Sequence, residues 1–506
     1  MEEHVFKKYV PEEVFNKITL IDTIKDLLDK AINEYSDKVA IKKNDSDITY
    51  RELYNDVNSV CNVLKQNEIV KKTNVGVISF NNYNFVKASI GAMAYGCVAT
   101  LLPFQLDEKS IYGCCLKYDL TCLFYDPALE EKINFAKNLL ANVKFIKIES
   151  FSYSNELLID SNIKKEDRAC IVLTGGTTGK SKGAILSHQA LMMGTVNGMY
   201  ADPHAFEHVY YSIMPLTHVF GLVRNLLTCL YSGSMIYFCS NMKDMFKEMQ
   251  KLKPTILIAV PALAELFLKL VKQFGINMIG GEVNTIICGG ASVPPYLVTE
   301  FRKLGINFCP GYGLTELANL VSGNPEGDIK PSSVGLLYPE QEIKLVNDEL
   351  WIKGKNLMEG YYNEDEENKN AFENGWFKTG DLVRFDEDGY MYIIGRIKDI
   401  IVLSNGENVS PAHIESKINE YDFIQDSLVY QDKNSLGIDI LVAEVLPRMS
   451  VLTKLNIENV QSFIEEKIEE LNEKLFNYER ISKVIIRKED FERSPSMKII
   501  RPKRGM

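Results

Sequence analysis

No C-x-x-C pair and no other metal-ligand spacing of cysteines occurs in this sequence. The ten cysteines are scattered between Cys61 and Cys309, with only Cys114 and Cys115 adjacent. In a chain of 506 residues that usage argues against a disulfide scaffold and a zinc module. It predicts reduced, mostly buried thiols in a cytoplasmic protein. The acidic start Met1-Glu2-Glu3-His4 lacks a signal-peptide core. An excess of positive charge is also missing, since 57 basic against 68 acidic side chains give a net charge of −11. This balance argues against nucleic acid or an anionic membrane surface as the main partner, and leaves open a nucleotide held by local donors. Long unbroken hydrophobic runs are lacking too. Residues 88–106 are uncharged but contain Gly91, Gly96 and Pro103. Residues 209–242 carry one charge, Arg224, and are interrupted by Pro215, Gly221 and Gly233. A membrane span needs about 20 mostly apolar residues without such punctuation, so both stretches are predicted to be interior helices and strands and no transmembrane segment is expected. Repeats and low-complexity tracts are absent.

What is present, above all, is Thr174-Gly175-Gly176-Thr177-Thr178-Gly179-Lys180-Ser181-Lys182-Gly183, directly after the apolar run Ile171-Val172-Leu173. Glycines let the backbone turn tightly and aim several N–H groups at one point. Threonine hydroxyls and lysine ammonium groups add donors without adding negative charge. A strand end followed by such a loop suits a polyphosphate. The Walker pattern G-x-x-x-x-G-K-[ST] is not met, because the residue five before Gly179 is Thr174. The loop therefore points to a nucleotide, but not to a P-loop NTPase.

A chain of this length is expected to hold more than one domain, because single cores stop growing near about 250–300 residues. From about residue 40 to 310, apolar strands alternate with helical patterns. The strands include Val75-Gly76-Val77-Ile78, Val98-Ala99-Thr100-Leu101, Leu123-Phe124-Tyr125 and Phe145-Ile146-Lys147-Ile148. The pattern resumes with Val209-Tyr210-Tyr211, Met235-Ile236-Tyr237-Phe238, Ile256-Leu257-Ile258-Ala259 and Thr285-Ile286-Ile287. Such alternation predicts an α/β fold with two helix-covered parallel sheets. Around residues 334–395 turn signals such as Asn374-Gly375 and Asp388-Gly389 predict a small β-rich subdomain. A boundary is placed near Gly395-Arg396, giving residues 1–395 and 396–506. The second part is read as charged and ending in a long helix, with Val460, Phe463, Ile464, Ile468, Leu471 and Leu475 on one face.

Five further motifs occur in order: Pro215-Leu216-Thr217-His218-Val219-Phe220-Gly221, Cys288-Gly289-Gly290-Ala291-Ser292, Gly311-Tyr312-Gly313-Leu314-Thr315-Glu316, Trp376-Phe377-Lys378-Thr379-Gly380-Asp381 and Gly395-Arg396-Ile397-Lys398-Asp399. With the loop at Thr174, they make the chain resemble the adenylate-forming superfamily over about residues 30–503. The wording is closest to the fatty-acyl-CoA ligase branch of the acyl-CoA synthetases. The resemblance implies a large N-terminal domain of two α/β layered subdomains plus a small β-rich subdomain, followed by a small mobile α+β C-terminal domain. It also implies ATP, Mg²⁺ and coenzyme A. A carboxylic acid, with a fatty acid expected, would be activated as an acyl-adenylate and passed to the CoA thiol.

Roles carry over residue by residue. Thr174, Gly175, Gly176, Thr177, Thr178, Gly179 and Lys182 would hold the phosphates, and Gly290 and Ala291 would flank adenine. Tyr312, between Gly311 and Gly313, offers adenine a flat face. Thr315 would donate to the α-phosphate, and Glu316 is a hard oxygen ligand suited to Mg²⁺. Asp381 can accept from both ribose hydroxyls, and Arg396 would also serve the nucleotide. Lys498, in Arg493-Ser494-Pro495-Ser496-Met497-Lys498, matches the catalytic lysine of the resembled family. Two anions must meet when a carboxylate attacks the α-phosphorus, and a bridging cation removes their repulsion. Met497 stands where the family has glycine, and a basic tail of Lys498, Arg501, Lys503 and Arg504 is the plain alternative. Lys398 would be the hinge, and Ser404, Asn405 and Gly406 the loop that enters for the thiol step.

His218, Phe220, Gly221 and Arg224 fall where relatives line the acyl pocket. His218 admits two readings, a ring against the acyl chain or an ordinary packed histidine. Arg224 is either an anchor for a polar or anionic group at the substrate's far end, or an arginine that reaches solvent or a structural carboxylate. His204 and His208, four apart, lack a third ligand and are read as surface residues. Two rivals stay open. One is a freestanding enzyme that loads an acyl carrier protein, which a partner surface on the C-terminal part would reveal. The other is a non-catalytic nucleotide-binding pseudoenzyme, which Met497 favours and Lys498, Glu316 and Lys182 oppose.

Overall fold

The structure is a computed structural model that describes residues 5–43, 46–149, 151, 153, 156–174, 181–403, 407–493 and 499–501. Its first large sheet has seven strands, in the order Gly360–Tyr361, Lys182–Ser187, Arg168–Thr174, Val98–Leu102, Asn74–Ile78, Leu120–Tyr125 and Lys144–Lys147. The last five are parallel neighbours, and the first two add on antiparallel at one edge. Helices such as Tyr83–Ala94 make the crossovers. The central strands Asn74–Ile78 and Val98–Leu102 are buried along their whole length, as sheets covered on both faces require. The second sheet has nine strands. Its parallel centre runs Asn307–Tyr312, Thr285–Cys288, Ile256–Ala259, Val209–Ser212, Met235–Phe238 and Val39–Lys42. Every strand expected from the apolar runs is present.

A five-stranded antiparallel sheet covers residues 341–396. Its hairpin Gln341–Val346 to Glu349–Gly354 turns on Asn347 and Asp348, both at positive φ, the two-residue geometry that matches strand twist. Asn374-Gly375 turns in the same way, with φ of 51° and 77°. Beyond it, Ile424–Lys433, Asp439–Pro447 and Ile481–Ile486 form a separate sheet backed by helices Pro411–Ile418 and Val460–Asn472. Ile464, Ile468 and Leu471 of the latter are buried in a hydrophobic cluster distinct from that of the N-terminal part. That helix is not the end of the fold, which corrects the sequence reading. Ile481–Ile486 follows it and pairs parallel with Asp439–Pro447. Its exposed Ser482 and Lys483 break the apolar alternation that would have betrayed a strand. All ten cysteines are free thiols, eight of them buried. Among the described residues no helix is long and apolar enough to cross a membrane.

Candidate active site

The segments expected to bind the nucleotide sit at strand ends. Arg168–Thr174 and Lys182–Ser187 pair antiparallel up to Thr174 opposite Lys182, and the Ser181 hydroxyl donates to the Thr174 carbonyl at 3.0 Å. The base of the predicted phosphate loop is therefore pinned. Gly175, Gly176, Thr177, Thr178 and Gly179 lie outside the described residues. Gly183 leaves no room for a side chain, since a Cβ there would come 2.6 Å from the Tyr118 ring.

Lys182 forms an ion pair with Glu367 and lies 4.9 Å from the centre of the Tyr361 ring. The Tyr361 hydroxyl in turn donates to Glu316 Oε1 at 2.7 Å. Tyr361 arrives there because Gly360–Tyr361 adds antiparallel to Lys182–Ser187. Tyr361 and Glu367 were not singled out in the sequence, where nothing in their spacing links them to Lys182 or Glu316.

Thr315 is buried and opens the short turn Thr315–Leu317. The chain then reverses through Ala318 and Asn319, both at positive φ, so that Val321 N–H bonds the Tyr312 carbonyl at 3.0 Å. This reversal explains Gly313, because a Cβ there would lie 1.2 Å from the Asn319 carbonyl oxygen. The glycine serves the backbone rather than clearing the face of Tyr312.

The Tyr312 hydroxyl donates to Asp381 Oδ2 at 2.6 Å, and Arg396 Nε donates to Oδ1 at 2.5 Å. Asp381 and Arg396 are cross-strand partners. Burial, then the neighbouring Asp381 carboxylate, push the Tyr312 hydroxyl pKa well up, so it stays a donor. A carboxylate has about four acceptor sites, so Asp381 keeps capacity for ribose hydroxyls.

Glu316 fits a magnesium ligand by the same reasoning. Tyr361 occupies one of its oxygens, and among the described residues Oε2 carries no hydrogen bond. Mg²⁺ keeps several waters and takes one or two carboxylates, so a site without a cluster of acids is compatible with it. Gly290, at φ +80°, and Ala291 form an exposed turn after strand Thr285–Cys288.

The acyl segment is tied down by Asn81, which donates to the Met214 carbonyl at 3.1 Å and accepts from Leu216 N–H at 3.0 Å. His218 Nδ1 accepts from Phe220 N–H at 3.3 Å. Phe220–Leu227 is a π-helical stretch, a wide turn that recurs at functional sites. Gly221 is required by packing, as a Cβ would lie 2.1 Å from the Pro215 carbonyl oxygen. The ring of Phe220 comes within 3.8 Å of where a Gly289 Cβ would be, and that point is 3.0 Å from the Gly311 carbonyl. The segment expected to hold the acid and two of those expected to hold the nucleotide thus meet at one place.

Arg224 lies about one turn further along and is 2% exposed. Its Nη2 is 3.7 Å from Asp202 Oδ2, and His208 Nε2 holds the same carboxylate oxygen at 2.9 Å. Burial pushes the Asp202 carboxyl up, but His208 and Arg224 outweigh it and hold it below the usual range. His208 is therefore not a surface residue, which corrects the sequence reading. It is buried between Asp202 and Thr255, whose hydroxyl is 3.0 Å from Nδ1, while His204 is exposed as expected. The one sequence clue was Asp202, six residues before His208.

Lys398 lies in the short turn Ile397–Asp399. Burial and the neighbouring Arg396 lower its pKa, while Asp381 and Glu316 act in the opposite direction. It is thus beside the nucleotide segments. Arg501 is not part of a loose tail, since its guanidinium holds Glu415. Lys498, Ser404, Asn405 and Gly406 lie outside the described residues.

Residues 28–362 match the family model described as AMP-binding enzyme, and residues 398–504 match that of the AMP-binding enzyme C-terminal domain. The long-chain-fatty-acid–CoA ligase of Haemophilus influenzae is 26% identical over 483 residues, covering 83% of this chain and 85% of that protein. The indoleacetate–CoA ligase of Aromatoleum aromaticum is 25% identical over 442 residues, covering 81% and 85%. Among solved structures, an anthranilate CoA ligase in complex with anthranoyl-AMP superposes with a TM-score of 0.82 at 20% identity, covering 96% of this chain and 97% of that one. That likeness establishes the shared fold.

Proposed function

This chain belongs to the AMP-binding enzyme family, and we propose that it joins a carboxylic acid to coenzyme A through an acyl-adenylate. The observation that carries the reading is the convergence of Phe220, Gly289 and Gly311, which puts an acyl-binding segment against the segments that would hold ATP. In the first step a carboxylate oxygen bonds to the α-phosphorus and pyrophosphate leaves. In the second the CoA thiol attacks the acyl carbon, a thioester forms, AMP leaves, and the thiol proton passes to solvent.

Tyr312 would lie along adenine, Asp381 would accept from the ribose, and Thr315 with Lys182 would donate to the phosphates. Lys498 would offset the charge that accumulates as the two anions meet. Mg²⁺ held at Glu316 would neutralise phosphate charge. Residues 1–395 would bind ATP and acid, and residues 396–506 would bring in Lys498 and then the Ser404-Asn405-Gly406 loop.

The similarity to CoA ligases supports CoA as acceptor, and these relatives are named for acids as different as a long-chain fatty acid and indoleacetate. A fatty acid is the expectation from motif wording alone. A pyrophosphate-release screen over fatty, aromatic and dicarboxylic acids, with and without CoA, tests the proposal. At least one acid should release pyrophosphate and yield thioester only when CoA is added. ATP turnover independent of every acid would overturn it.

A further inference from the structure

Resting on the acid-activating reading, we propose that the acyl pocket ends in a polar, hydrated chamber of Asn197, Tyr210, Ser212, Arg224 and Asn225. The acid it accepts is compact and carries a neutral hydrogen-bonding group, hydroxyl or carbonyl, at its far end. Tyr210 and Ser212 alternate along strand Val209–Ser212, so they share one face of the second sheet. Tyr210 is in register with Ile256, Ile256 with Thr285, and Thr285 with Asn307. Cys309, two residues beyond Asn307, shares that face. Arg224 of the π-helical stretch lies close enough to act electrostatically on both Tyr210 and Cys309. Helix His188–Asn197 packs on the same stretch, where a Cβ on Gly194 would be 3.2 Å from Val223. Asn197 is three residues after Gly194 and so on the same side of its helix. Asn197, Tyr210, Ser212 and Arg224 thus belong to the layer between one sheet face and the segments that cover it, and Asn225 is the buried neighbour of Arg224 on the same stretch.

That layer is polar and unsatisfied. All five residues are at most 2% exposed. Among the described residues, the amide oxygen and nitrogen of both Asn197 and Asn225, Tyr210 Oη, Ser212 Oγ and Arg224 Nη1 make no hydrogen bond of good geometry, and the Arg224 guanidinium lies beside the Tyr210 hydroxyl. Half of all such atoms among the described residues belong to these five side chains. Native interiors do not leave amides, hydroxyls and a guanidinium unpaired together. Water fills such a space when it is polar and roomy enough, and a substrate group that reproduces the water's bonds can take its place. The guest must both donate and accept. It should be neutral, because Asp202 already offsets the charge of Arg224. Depth sets its size. Arg224 follows Phe220 by four residues on a π-helical stretch, whose rise is below that of an α-helix, so the two are less than about 6 Å apart along the axis, on the order of one aromatic ring.

Two measurements decide this. In a high-resolution crystal structure of the unliganded protein, ordered waters should bridge Asn197, Tyr210, Arg224 and Asn225. A dry layer in which these side chains bond one another would overturn the chamber. Pyrophosphate release would then be compared for 4-hydroxybenzoate against 4-methylbenzoate and for 8-hydroxyoctanoate against nonanoate. The hydroxyl member should be favoured at least tenfold in kcat/KM in the better pair. Tyr210→Phe and Asn225→Leu should each cut that ratio several-fold while keeping the wild-type Tm. Preference for the methyl members, or a ratio unchanged in both variants, would overturn the proposal. If no acid released pyrophosphate, the ligase reading would fail separately, and the water structure would still decide the chamber.

Discussion

At the residue scale, Lys498 is the charge whose removal should matter most. Preorganised charge at such a centre is commonly worth ~3–4 kcal/mol, about a hundred- to a thousandfold in rate. Lys498→Ala should lose that much in adenylation and far less in thioester formation started from synthetic acyl-adenylate. Equal losses in both halves would remove Lys498 from the first step. Tyr361 makes a subtler case. Its hydroxyl fixes Glu316 at 2.7 Å while its ring underlies Lys182. A hydrogen bond to a charged group contributes about 1.5–3 kcal/mol. Tyr361→Phe should therefore raise the Mg²⁺ concentration needed for half-maximal adenylation by roughly tenfold or more, at unchanged Tm. An unchanged Mg²⁺ requirement would leave Tyr361 as packing alone. The contrast between these residues shows what the sequence could tell. Glu316 and Asp381 were legible because they sit inside contiguous motifs. Tyr361 and Glu367 were not, because each reaches its partner across the fold rather than along the chain.

At the element scale, strands and turns were legible where hydrophobicity and φ demand few residue types. Val98–Leu102 reads as buried because it is uncharged and apolar but for Thr100, and Asn374-Gly375 reads as a turn because both adopt positive φ. Ile481–Ile486 was missed because Ser482 and Lys483 face solvent among its apolar residues, and the π-helical widening at Phe220–Leu227 has no compositional signal. One link between elements carries a pH dependence. His188 opens helix His188–Asn197, and its Nδ1 accepts from Ile24 N–H at the start of helix Ile24–Tyr35, at 3.3 Å. Burial lowers its pKa from 6.5 to about 4. The folded state therefore binds fewer protons than the unfolded one between those values. The stability tied to neutral His188 is complete above 6.5 and is lost as the pH falls towards 4. Between pH 7 and 5 this group alone should remove about 2 kcal/mol. Denaturant unfolding at the two pH values should show a smaller difference for His188→Gln than for wild type, by about that amount. An equal drop in both proteins would assign the acid sensitivity to other groups.

At the scale of the whole molecule, the two parts keep separate hydrophobic clusters and meet through polar contacts. Arg448, after strand Asp439–Pro447, donates to Glu265 at 2.8 Å and to the Tyr296 hydroxyl at 2.6 Å, on helices Pro261–Phe274 and Pro295–Lys303. Such a contact holds one arrangement without welding the parts, because a partly exposed ion pair is worth only about 0–1 kcal/mol. One site that serves two reactions needs that looseness. Under the proposed reading Lys498 would serve the first and the Ser404-Asn405-Gly406 loop the second, and both fall within residues 396–506. A rotation of this part is expected to pivot at the short turn Ile397–Asp399, since closure is absorbed by a few residues with large φ/ψ changes. Lys398→Pro would fix φ at about −65°. It should leave adenylation measurable and block thioester formation. Arg448→Ala should act in the other direction, releasing the arrangement seen here and changing the ratio of the two single-turnover rates while both remain measurable. A Lys398→Pro protein that forms both adenylate and thioester at wild-type rates would place the pivot elsewhere. A ratio unmoved by Arg448→Ala would mean that this contact does not restrain the motion.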